Sequence, residues 1–123
     1  MALHEQKLLS KILDEDNFYI LNRYNVVADD FVTEKETYDF IKSYVFEYKV
    51  LPDYRTVIEN CEGFDYYPDV QDTFPFLCKQ VKDTTAKRLI FNTLQKEAVE
   101  KFPLLNGAKF VAWIQEEVNR IAA

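Results

Sequence analysis

From Thr73 to Phe102 the chain runs for about thirty residues with no helix breaker except Pro75, which falls in a first turn, where proline is tolerated. A helix of that length is roughly 45 Å long, more than a small core can cover, so part of it must pack against something else. Phe74, Leu77 and Val81 mark an apolar stripe at one end, and Phe91, Leu94, Ala98 and Phe102 one at the other. Thr84, Thr85 and Arg88 interrupt the stripe between them. Pro103 ends the run, and Asn106-Gly107 is a turn signal. Phe110, Val111, Ile114, Val118 and Ile121 then recur at helical spacing. Two helices with facing apolar stripes and a short connection predict an αα-hairpin over residues 73–123.

Residues 1–72 read as a small helical head. Leu8-Leu9 and Ile12-Leu13 repeat every four residues on a first helix, and Phe18, Leu21 and Tyr24 mark a short second one that Asp14 or Asp16 could cap. Thr33-Glu34-Lys35-Glu36 matches the capping box, and Tyr38, Ile41, Tyr44, Val45 and Tyr48 follow at helical spacing. That predicts a third helix over about 34–48 with a tyrosine-rich face turned inward. Leu51-Pro52-Asp53 breaks it and starts another helix that Gly63 stops, and residues 64–72 read as a loop.

Composition agrees with an all-α fold. Hydrophobic residues make up 48% of the 123 residues, enough for a core, while two glycines and four prolines are too few for the many turns of a β-sandwich. Net charge is −6, unevenly spread: residues 1–72 hold seven Lys/Arg and sixteen Asp/Glu, whereas residues 73–102 hold six and three. An acidic front repels phosphates, so direct nucleic-acid binding is not expected. No apolar run approaches the length of a membrane span and no signal-peptide pattern opens the chain, so the expected location is the cytoplasm. Cys61 and Cys78 are the only cysteines and His4 the only histidine, and all three are scattered, which supports neither a disulfide framework nor a structural zinc site. Gly63 and Gly107 do not form a phosphate-binding loop. The doublets Asp29-Asp30 and Glu116-Glu117 read as surface, and Asp83/Lys87, Glu97/Lys101 and Glu116/Arg120 as helix-surface ion pairs. No catalytic, cofactor-binding or metal-binding residue is assigned, and an enzyme is not expected.

Several segments in order resemble the amino-terminal domain of DnaB-type replicative DNA helicases. Glu5-Gln6-Lys7-Leu8-Leu9-Ser10-Lys11-Ile12-Leu13 is similar to the family's E-Q-x-L-L-x-x-x-L opening. Asp30-Phe31, with Tyr38 and Ile41 after it, resembles its D/E-D-F step and following helix. Pro52-Asp53-Tyr54-Arg55-Thr56-Val57 is similar to its P-x-D-x-x-T-V turn, one residue shorter before the Asp, and Arg88-Leu89-Ile90 to an R-x-L-I region of its hairpin. The segment between Gly63 and Thr73 is shorter than the bacterial pattern, as in compact phage-type versions. The resemblance implies a non-catalytic collar domain in DNA replication, mediating hexamer assembly and docking primase or a helicase loader. ATP and Mg would belong only to an ATPase domain following Ala123 in a longer parent helicase. Self-association, as a dimer or as the hexamer of that parent, falls to Phe91, Leu94, Ala98, Phe102, Phe110, Ile114 and Val118. These residues could instead seal the hairpin against itself, and both roles can hold along one long helix. The alternative is a stand-alone helical adaptor that binds a replication partner.

Overall fold

The apolar pairs of the first helix become the floor of a core. α1 (Leu3–Glu15) buries Leu8, Leu9 and Ile12 completely, and α3 (Lys35–Tyr48) lays Tyr38, Ile41 and Val45 against the same cluster. Each fully buried leucine or isoleucine contributes about 1.5–3 kcal/mol relative to an exposed one. The computed structural model describes residues 3–122; Met1, Ala2 and Ala123, at the outer ends of the two regions assigned from sequence, lie outside them. Among the described residues every regular element is a helix: α1, α2 (Ile20–Arg23), a 3₁₀ turn (Ala28–Asp30), α3, α4 (Tyr54–Asn60), α5 (Phe74–Leu89), a π segment (Ile90–Leu94), α6 (Gln95–Lys101) and α7 (Gly107–Ala122). The all-α class read from the sequence is the class observed.

The chain divides into two compact units, residues 1–82 and 83–123. The division falls later than residue 72 because the first turns of α5 belong to the head: Leu77, Cys78 and Val81 are buried in its core. The 64–72 loop is tied to α1 by side chains: the Tyr67 N–H donates to Ser10 Oγ, Lys11 Nζ to the Val70 carbonyl, and Lys7 pairs with Asp72. Lys82 ends the unit by donating to the Asn25 carbonyl and to the buried Asp30 carboxylate, 3.0 and 3.2 Å away.

Helix starts follow local chemistry in places. The Asp53 side chain accepts from the Arg55 N–H at the start of α4, Thr73 Oγ1 from the Phe76 N–H, and Asn106 Oδ1 from the Lys109 N–H. Gly63, at φ +85°, supplies the left-handed turn after α4. Two expectations are corrected. Neither Asp14 nor Asp16 caps α2, whose N-cap is Tyr19. The capping box does not form: Thr33 Oγ1 donates to Glu5 Oε2, and the Glu34 N–H donates to Glu5 Oε1. A carboxylate from α1 thus does what a local side chain was expected to do. The tyrosine face also turns inward only at its start, since Tyr38 is buried but Tyr48 is more than half exposed.

In the second unit the helical run continues through the π segment, where the Gln95 N–H reaches the Ile90 carbonyl, an i→i+5 bond. Residues 102–106 form a turn, and α7 follows. Arg120 pairs with Glu117 rather than with Glu116.

Candidate functional site

Beyond Thr85 no described residue of the second unit is buried. That is unusual for α7, whose sequence separates an apolar from a polar face more sharply than those of α1, α3 or α5. An amphipathic helix gains its stability by covering that face, so the unit carries an apolar surface without sufficient cover.

The residues expected at an interface divide into two groups. Leu94, Ala98, Phe110 and Ile114 are half-buried; Phe91, Phe102 and Val118 are exposed, Phe102 to 71%. Thr85, Leu89, Leu94, Ala98 and Phe102 form one row, spaced by four except at the π segment, where the step from Leu89 to Leu94 is five. Burial falls along that row from Thr85 to Phe102, and Phe91 stands off it. At the turn, Phe102 and Phe110 meet edge to face with ring centroids 5.6 Å apart, and Phe110 stacks on Trp113 at 6.0 Å. Lys101 Nζ lies 5.7 Å from the Trp113 ring. α7 also touches the π segment. The expected residues therefore partly pack on one another, and the part they leave open is continued by Val99, Leu104 and Val111, which were not singled out. Trp113 was missed as well, although its spacing of three from Phe110 placed it on the same face.

The head offers a second surface. Beside α3, Phe18, Val26, Tyr38 and Val45 floor a groove of about 320 Å³, with Tyr19 and Phe46 standing at its sides. Depressions at Lys42–Phe46 and at Asp16–Leu51 share residues with it and extend it. Sequence gave no sign of this groove, because its lining comes from three separate segments.

Two carboxylates are buried together at the α1–α3 junction. Glu5 accepts from the Glu34 N–H and the Thr33 hydroxyl, while Glu34 Oε1 accepts from Gln6 Nε2 at 3.5 Å. Burial raises the Glu34 pKa above its ordinary value, and the charges of Glu5 and Asp65 add to that against the Gln6 hydrogen bond. Burial likewise raises the Cys61 thiol, and pushes Cys78 to about 11, so both stay protonated at neutral pH. His4 sets its ring edge-on to Phe76, 6.1 Å away. No group of three or more potential metal ligands occurs among the described residues, and no described helix is long and apolar enough to cross a membrane.

No family model, curated protein or solved structure matches this chain.

Proposed function

We propose that this chain is an assembly and docking module, the collar-type amino-terminal domain of a DnaB-type replicative helicase, acting through contacts rather than catalysis. The observation that carries the proposal is the open apolar surface of the second unit, built by the row from Leu89 to Phe102 and by α7. A surface of this kind is stable in water only when a partner covers it, and a second copy brings the same self-complementary face. The motif order from Glu5 to Ile90 supplies the helicase part of the reading, and primase or a loader is the further partner it implies. A parent protein would supply ATP and Mg chemistry in another domain.

Sedimentation of the chain, set against the paired variant Leu94→Glu/Phe102→Glu, tests the assembly. The expected result is a concentration-dependent dimer or higher species that the variant returns to a monomer, with an apparent Kd raised by about a hundredfold. An unchanged mass would remove the surface from the assembly. A wild-type chain that is already monomeric at high concentration would favour the adaptor alternative, in which a different protein covers the same face.

A further inference from the structure

We infer that the face of the second unit at the π segment receives an acidic amphipathic helix from a partner protein. This gives the docking half of the proposed function a partner chemistry and rests on it to that extent, but it uses residues outside the row from Leu89 to Phe102, so either can fail alone.

The face is an open depression of about 730 Å³, and its lining includes Ile90 and Phe91 from the π segment with Thr84, Lys87, Arg88 and Gln95 on either side of them in the chain. No residue of the Leu89–Phe102 row lines it. Ile90 is 49% exposed and Phe91 70%, so both side chains are anchors that the unit's own packing leaves unused. Every lining residue comes from one helical run, so the depression has a single wall. It cannot enclose a small molecule, whose pockets bury most of the ligand's surface. The occupant has to bring the opposite wall. The stripe from Thr84 to Gln95 runs along roughly 17 Å of helix, and a ridged helix surface of this kind is covered by a second helix laid against it. An extended segment has nothing to pair with, since no strand exists among the described residues.

Charge gives the occupant its sign. The ionisable groups in the lining, Lys87 and Arg88, are both cations. The bias extends past the lining, because from Thr84 to Lys96 the sequence holds three Lys/Arg and no Asp/Glu. The Asp83–Lys87 pair expected from spacing does not form among the described residues, and Lys87 stands exposed. The chain as a whole carries −6, but at physiological ionic strength exposed charges more than about 8 Å apart are largely screened. The neighbouring lysine and arginine therefore decide what an approaching helix meets. Glutamates flanking an apolar stripe face Lys87 and Arg88 while the stripe covers Ile90 and Phe91. A duplex phosphate backbone would match the cations but leave the isoleucine and phenylalanine in water.

The test titrates the full chain, in about 150 mM salt, with two fluorescent synthetic helices of about four turns, one of leucine and glutamate, the other of leucine and glutamine at the same positions. Anisotropy reads binding, and sedimentation of the same samples reads the oligomer. The Leu/Glu helix binds at least about fivefold tighter than the Leu/Gln helix, and Lys87→Glu removes that preference. Phe91→Ser, at an exposed position, weakens the Leu/Glu helix by about tenfold with the helical circular dichroism unchanged. Equal binding of the two helices, indifference to both variants, or no binding overturns the inference even if the chain still self-associates. Displacement of the Leu/Glu helix by a short DNA duplex would give the face to phosphates, and break-up of the oligomer by that helix would give it to a second copy; either result overturns the inference too. Helix binding by a chain that remains monomeric would leave this inference standing and remove the assembly reading.

Discussion

The head and the second unit are built from the same material, amphipathic helices joined by short turns, yet they end in opposite states. The head closes fifteen apolar residues over one another, with Phe31 stacked on Tyr38 at 4.6 Å near its centre. Among the described residues of the second unit Thr85 alone is buried, while Phe91, Val99, Phe102 and Leu104 are each 70% exposed or more. The difference lies in connectivity rather than composition. α1, α3, α4 and the first turns of α5 reach the head's core from several directions, whereas a long helical run and α7 give a second layer at most. A unit with one layer of cover leaves its apolar faces open.

The largest effect expected from this contrast is thermodynamic. Phe31→Ala should cost about 3–5 kcal/mol of stability in urea unfolding, because it empties a filled site. Leu104→Ala, at an exposed position, should change it by less than about 0.5 kcal/mol. Equal losses would mean that the second unit has a core after all. Next in size is the Lys82–Asp30 pair. Lys82→Met leaves the buried Asp30 carboxylate, among the described residues, with the Val27 N–H 2.8 Å away. Because the lysine end is partly solvated, the expected loss is about 1–2 kcal/mol rather than the larger cost of a wholly buried pair.

Glu34 sharpens the comparison through pH. Its folded pKa lies above the ordinary 4.5, so the folded head binds that proton more tightly than the unfolded chain does. The head's stability should therefore rise as pH falls from neutral through the raised pKa towards 4.5, and the gain is absent at higher pH. Glu34→Gln should remove that dependence and add about 1 kcal/mol at neutral pH, read by chemical unfolding across the range. A variant that is less stable at neutral pH would show the charge to be an asset. The smallest effect belongs to the second unit: Asn106→Ala removes the side-chain acceptor at the start of α7 and should cost about 0.5–1 kcal/mol, seen as a modest loss of helical circular dichroism.

What the sequence disclosed divides along the same physical line. Asp53, Gly63 and Asn106-Gly107 were legible because each acts on backbone groups within a few residues of itself. Thr33-Glu36 misled because its partner, Glu5, comes from α1 and competes for the groups a local box would use. The apolar faces of the second unit were legible as periodicity, but whether they were covered was not, since cover is a property of what packs on them. The α3 groove was illegible for the same reason: Tyr19, Val27 and Phe46 look unremarkable until three segments meet.

The π segment has a consequence for how this chain tolerates insertion and deletion. An i→i+5 step is one residue more than an α-helix uses, and here it splices the spacing that runs through Leu89 to the spacing that begins at Leu94. Deleting Asn92 or Thr93 should let the turn relax into ordinary helix and shorten the step after Leu89 from five residues to four. Leu94, Ala98 and Phe102 would then keep the line of Thr85 and Leu89, whereas the same deletion within an α-helical stretch would rotate everything after it by about 100°. Among relatives, a single-residue gap at this point would therefore leave the apolar row intact.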